Sequence, residues 1–368
     1  MIEYIIKLRN PAGVVLHHSL PTARLSWVIS EMRVGNLSMV IPGDMIDTSW
    51  ITDDCRLELW RRVDRSYTSL IGGQWLIDRI SIRGRSQDIA VDAVDFNGVL
   101  DRRIVDYPAA TPDVTNAYSA KTGNADNLIK AFVRENIGAT ATDTARRLAD
   151  LTVTADTSLA PSTTKHAGRK SLLTTLQDLA ADSRAQGTYL TWGWSFAENA
   201  FTFDTHINQW GINHGSTSAD TIIISQDHYN LLEPEIVEDY SAERNVIKIG
   251  GLGEGDARVI GSATGTRAAV TPFSRKEYFT SGTATDSSAA LTGEANTELQ
   301  ERRARRKFIG RVAETDALRF GVHFNYGDLV IASYAGRTFD CHLDTIGADV
   351  VGGIEVNLDI RLRGEELI

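Results

Sequence analysis
The sequence predicts an α+β chain, mainly β, in which a mixed α+β part separates two β parts. Three observations predict this. Short runs of alternating apolar and polar residues, punctuated by turn signals, fill residues 1–100. The same texture returns after Tyr240. Between them, residues 168–206 switch from helical spacing to a period of two, which reads as a helix followed by a hairpin.

In the opening part, residues 2–8 alternate weakly, and a turn at Asn10, Pro11, Ala12 and Gly13 returns the chain along 14–18. Residues 25–33 and 35–40 read as a strand pair, after which Pro42 and Gly43 open a polar loop. In the strand over 56–62, Leu57, Leu59 and Arg61 oppose Glu58, Trp60 and Arg62. Gly72 and Gly73 read as the turn before a strand over 74–83, and 87–93 adds one more. No helix pattern interrupts these runs, so a small antiparallel barrel or sandwich is expected over roughly residues 1–100.

Asn97 and Gly98 form a turn signal, and Pro108 and Pro112 flank a linker. Asn124 is a candidate N-cap for a helix over 124–138, with Leu128, Ile129, Phe132, Val133 and Ile137 on one face and Gly138 as its stop. Residues 140–165 are rich in Thr, Ala, Asp and Ser and read mostly as loop. In the next helix Leu172, Leu173, Leu176, Leu179, Ala180 and Ser183 form one stripe, ended by Gly187. Leu190, Trp192, Trp194 and Phe196 then share one strand face. A short loop with Glu198 and Asn199 at its tip leads to a return strand carrying Phe201, Phe203 and Thr205. That aromatic face must be buried on the helix or on another chain.

Residues 222–225 read as a strand, and Leu231, Leu232, Glu233 and Pro234 as a boundary. Strands follow over 245–250, 257–262 and 275–280, then a helix over 286–308 with Leu291, Ala295, Leu299 and Arg302 in line. Gly293 weakens that helix. Strands over 329–332, 338–343 and 353–363 close the chain. The predicted domains are 1–105, 106–235 and 236–368.

The bulk numbers agree with a folded chain of roughly two or three domains. Of the 368 residues, 42% are hydrophobic and 23% charged, and the formal net charge is −10. An acidic chain is poorly suited to gripping nucleic acid over a broad surface. Cys55 and Cys341 lack metal-site spacing and read as buried thiols; His342 beside Cys341 makes no site. The start has no basic region and cleavage site of a signal peptide. No apolar run approaches the ~20 residues that span a bilayer, so folding in a reducing cytoplasm is expected.

Each candidate for chemistry has a plainer reading. Gly250, Gly251, Gly253 and Gly255 lack the following helix of a phosphate loop and read as a turn between strands. His206, His214 and His228 match no zinc spacing. Asp53, Asp54 and the acids Glu233, Glu235, Glu238, Asp239 and Glu243 would suit a glycosidase pair, but solvated loops explain them. The basic run Arg302, Arg303, Arg305, Arg306 and Lys307 would touch phosphates, but helix-end placement and ion pairs with Glu298 and Glu301 explain it. Trp192 and Trp194 would stack a base or sugar, but one-faced alternation favours core or interface. No catalytic, cofactor-binding or metal residue is assigned.

Four stretches carry a family resemblance by their order: residues 97–105 (NGVLDRRIV), the helix and hairpin of 171–203, residues 243–255 (ERNVIKIGGLGEG), and residues 273–346 with Gly327 and Asp328 at a strand start. The chain resembles the baseplate-hub or tail-hub proteins of tailed bacteriophages, the family of contractile-tail hubs and the N-terminal part of siphophage tail-associated proteins. The resemblance implies two small antiparallel β-barrel, tail-tube-like domains with the mixed α+β domain inserted. It implies a homotrimer that joins the hexameric tail tube, or a distal tail protein, to a spike, fibre or tip protein. DNA would pass through the lumen without specific binding, the protein would reside in the virion, and no enzyme activity, cofactor or membrane insertion is expected. Because the sequence stops at Ile368, any spike, lysin or receptor-binding module is expected on a separate polypeptide. The competing readings are a tail-tip enzyme degrading cell wall or polysaccharide, and a receptor-binding tip protein.

Overall fold
The computed structural model describes residues 2–43, 45–53, 55–65, 67–84, 87–106, 119–141, 143–197, 200–282 and 287–367. The linker prolines Pro108 and Pro112, the loop tip Glu198 and Asn199, and Asp54 lie outside the described residues. The chain is α+β and mainly β. Its opening part runs β1 (Ile2–Arg9), β2 (Val15–His17), β3 (Arg24–Ser30), β4 (Asn36–Ile41), β5 (Arg56–Val63), β6 (Tyr67–Arg83), β7 (Asp88–Val94) and α1 (Asn97–Asp101). The middle part follows as β8 (Ser119–Asn124), α2 (Ala125–Asn136), β9 (Leu151–Val153), β10 (Ser162–Ala167), α3 (Leu172–Ala185), β11 (Leu190–Ala197), β12 (Ala200–Ile207), β13 (Asn213–His214) and β14 (Ile223–Ser225). The closing part holds β15 (Leu231–Asp239), β16 (Val246–Gly250), β17 (Ile260–Thr264), β18 (Glu277–Ser281), α4 (Ser288–Glu301), β19 (Arg305–Val312), β20 (Leu329–Tyr334), β21 (Arg337–Val351) and β22 (Ile354–Leu367).

Opening and closing strands form one sheet in the order β15-β19-β22-β21-β3-β4-β7-β6-β5-β1-β2. The seam is the antiparallel ladder between β21 and β3, from Thr345 opposite Ser30 to Val351 opposite Arg24. The length of β21 makes this possible. Its first half pairs β20, with Leu329 opposite His342, and its second half is left for β3. β13 and β14 add to β20 in parallel. Among the described residues the sheet ends β15 and β2 do not pair with each other. One apolar core serves both parts, with Ile6, Leu8, Trp27 and Trp75 beside Phe308, Phe320, Phe339 and Ile360.

The middle part has its own core. Leu128, Phe132, Leu172, Leu176 and Leu179 from the two helices meet Trp192 and Phe203 from the hairpin and Phe96 and Leu100 from α1. Ser171 caps α3 by accepting from the Thr174 N–H at 3.3 Å. Burying one leucine of this kind is worth roughly 1.5–3 kcal/mol. A smaller unit inserted between β15 and β19 packs Leu291 and Ala295 of α4 on Ile247, Ile249 and Ala263. No described helix is long and apolar enough to cross a membrane.

The structure departs from the sequence expectation at several places. Gly72 and Gly73 do not precede a strand; they lie within β6 as a bulge between Ile71 and Gln74, at φ +65° and +73°. Only residues free of a Cβ adopt that backbone cheaply. Asn97 and Gly98 open helix α1 rather than a turn. The boundary at 231–234 is the start of β15, whose Glu233 and Pro234 sit at a bulge of an edge strand, where proline is tolerated. Residues 140–165 contain β9 and most of β10. The helix expected over 286–308, whose first residue Asp286 is outside the described set, ends at Glu301, and β19 begins at Arg305.

Candidate functional site
Three places tie the parts of the chain together. The first lies on the inner face of β5. Period two puts Arg61 on the same side as Leu57 and Leu59, so its guanidinium is fully buried. Its Nε and Nη2 donate to the two carboxylate oxygens of Glu355 at 2.9 and 3.0 Å, Nη2 also to Glu314 at 3.0 Å, and Nη1 to the Phe320 carbonyl at 2.6 Å. Tyr4 donates to Glu355 at 2.5 Å. An arginine of the opening part is thus neutralised entirely by the closing part.

The second is a cleft of about 320 Å³ where all three parts meet. Ser69, Gly72 and Gly73 of β6 and Asp95 and Asn97 of the opening part face Trp192, Trp194 and Phe196 of β11, Trp210, and Phe320, Asn325 and Tyr326 of the closing part. The Asn97 side-chain oxygen accepts from both the Trp192 and Trp194 indoles, at 3.2 and 3.1 Å, while its amide donates to the Arg33 carbonyl at 2.8 Å. A Cβ on Gly73 would stand 1.9 Å from the Phe196 ring, and one on Gly193 would stand 2.3 Å from the Trp210 ring. The rings therefore rest directly on backbone. Burial pushes the Asp95 carboxyl up to about 7, against the pull of backbone N–H groups including that of Asn97.

The third is a polar seam. Tyr189 donates to Glu31, stacks on the His342 imidazole at 3.9 Å, and lies under the Arg184 guanidinium at 4.3 Å. Burial, then Arg184, lowers His342 to about 3. Nearby, Asp328 accepts from the Ile212 and Asn325 N–H groups, both at 2.6 Å, and binds the chain after Trp210 to the start of β20. Gly327 at φ +86° lets the backbone pass against Trp210.

The candidates from sequence do not come together. The glycines at 250–255 lie between paired strands β16 and β17, and the carbonyls of Gly250 and Gly251 accept from Arg258. His206 sits edge-on to Trp210, His214 lies between Asp220 and Asp328, and His228 faces the Ile223 carbonyl. Among the described residues no three His, Cys, Asp or Glu side chains are grouped to hold a metal ion. Glu238 meets Arg337 and Arg306, and Arg337, Tyr240 and Arg306 pull its carboxyl down to about 2. Glu243 is buried between Arg267 and Lys276. Arg302 pairs with Glu298 at 2.7 Å, but Arg305 and Arg306 belong to β19 and pair with Glu365 and Glu366 of the neighbouring strand. Cys55 and Cys341 are buried free thiols. Arg61 and Asp95 were not singled out by the sequence, although the inward period of β5 contained the signal for the first.

The chain matches the sequence model of the Siphovirus ReqiPepy6 Gp37-like protein family over residues 23–353. No curated protein matches it. Among solved structures it is similar to the 43 kDa tail protein of prophage MuSo2 from Shewanella oneidensis, at 10% identity and TM-score 0.52, over 98% of this chain and 97% of that one. It is also similar to prophage tail protein gp18 from Listeria monocytogenes, at 12% identity and TM-score 0.51, over 98% and 94%. A chain of the Francisella PdpA–VgrG complex matches at 9% identity and TM-score 0.52, over 99% of this chain but 52% of that one. At these identities the likeness is one of fold.

Proposed function
Because the chain belongs to the Siphovirus ReqiPepy6 Gp37-like family of bacteriophage tail proteins, we propose that it is the structural hub of a phage tail. In this reading it is a homotrimer that joins the hexameric tail tube, or a distal tail protein, to a spike, fibre or tip protein. Each subunit presents two tube-like β-barrel modules, the opening part (residues 1–105) and the closing part from β15 onward, with the α+β part inserted between them. Three subunits then offer six modules to a sixfold tube. The protein works in the virion after assembly in the host cytoplasm, and it acts by assembly rather than catalysis.

The observation that carries this reading is the seam between β3 and β21. Opening and closing strands are hydrogen-bonded into one sheet and share one core. Two modules joined in this way hold a fixed mutual orientation, as neighbouring units of a ring must. The net charge of −10 suits a lumen through which DNA slides without sticking. A channel wall that proved basic, with the acids outside, would remove that part of the reading. Mass by light scattering with negative-stain microscopy tests the whole. Annular particles of three chains are expected, whereas clearing of host cell walls by the purified protein would support a lytic enzyme instead.

A further inference from the structure
We propose that the cleft between β6 and β11 binds an organic ammonium group. The argument begins with charge. The lining contains one carboxyl, Asp95, and no Lys, Arg or His. Asp95 is 7% exposed, and Tyr326 is the other titratable group on the wall. A carboxylate buried without a counter-cation is costly to ionise, and a cation delivered to the cleft removes that cost.

The walls supply the second half of the recognition. Trp192, Trp194, Phe196, Trp210, Phe320 and Tyr326 line the same space, and aromatic faces, tryptophan above all, attract cations electrostatically. Their positions are fixed by Asn97, which holds two of the indoles, and by Gly73 and Gly193, on which Phe196 and Trp210 rest. Other ligand classes fit poorly. An anion would meet Asp95 with no cation to receive it. A purely apolar ligand would leave the Asp95 carboxyl without a counter-charge. The volume of about 320 Å³ is at the small end of ligand sites and suits one ammonium head with short substituents.

A free quaternary amine and a lysine side chain share this chemistry, and a titration separates them. The full chain is titrated with tetramethylammonium, choline, Nα-acetyl-lysine amide and 3,3-dimethylbutan-1-ol, the neutral twin of choline, reading tryptophan fluorescence and heat. Saturable binding of an ammonium compound and none of the alcohol is expected. A preference for choline identifies a free quaternary amine, and a preference for the lysine amide identifies a protein lysine. Affinity should rise as pH passes upward through about 7, where Asp95 ionises. Asp95→Asn preserves volume and should weaken binding by at least about tenfold while its Tm shows that it folds. The proposal is overturned by no saturable signal with any ammonium compound, by equal affinity for the neutral alcohol, or by undiminished binding in Asp95→Asn.

Discussion
Arg61 ties the opening part to the closing part, because its charge is satisfied only by residues about 250 or more positions away in sequence. Removing one partner of a buried pair strands the other, at about 3–5 kcal/mol. Arg61→Leu should therefore lower unfolding free energy in denaturant by that order; a loss below about 1 kcal/mol would show that Glu314 and Glu355 find water instead. Asn97→Ala leaves two indole N–H groups without their acceptor and should cost about 1–3 kcal/mol for each that stays dry; unchanged tryptophan emission and Tm would contradict this. Asp95 gives a pH dependence with a definite sign. Its folded pKa, about 7, lies above the usual carboxyl value of 3.8, so between these values the folded state binds more protons than the unfolded one. Stability from this group is complete below about pH 4 and is lost as pH rises to about 7. Asp95→Asn should flatten that slope and be more stable than the parent at about pH 8 by on the order of a few kcal/mol; a parallel pH profile for both proteins would refute the assignment. Of these residues, Arg61 was legible in the alternation of β5, whereas Asp95 was not, because its carboxyl is buried against the Gly35 backbone and the start of α1, a packing that no local pattern encodes.

Elements with strong local periods were legible, and those made by tertiary pairing were not. The stripe of α3 and the alternation of β11 follow from spacing alone. Leu176 is fully buried in that stripe, and Leu176→Ala should cost about 2–5 kcal/mol. Thermal unfolding checks it, and a shift under one degree would mean the middle core is not packed as described. Paired glycines signal a turn, whereas in β6 they supply two positive φ angles to a bulge and the strand runs on through them. β15 was lost because Pro234 signals a break, yet an edge strand spares it a ladder hydrogen bond. β19 was merged into the preceding helix because its basic start suits a helix end; pairing with Glu365 and Glu366 across the sheet decides otherwise.

At the scale of the molecule, two separated β parts were legible, but their union was not. The ladder between β3 and β21 joins residues more than 300 apart in sequence, and neither strand carries a mark naming its partner. In the proposed hub, that seam would hold the two parts as fixed neighbours of a ring. The most direct measurement is the solution mass of the intact chain by light scattering over a wide concentration series. The mass is expected to rise to three times 40.4 kDa and stay there, with annular particles in the same fractions. A mass of one chain throughout, or of two, would contradict it.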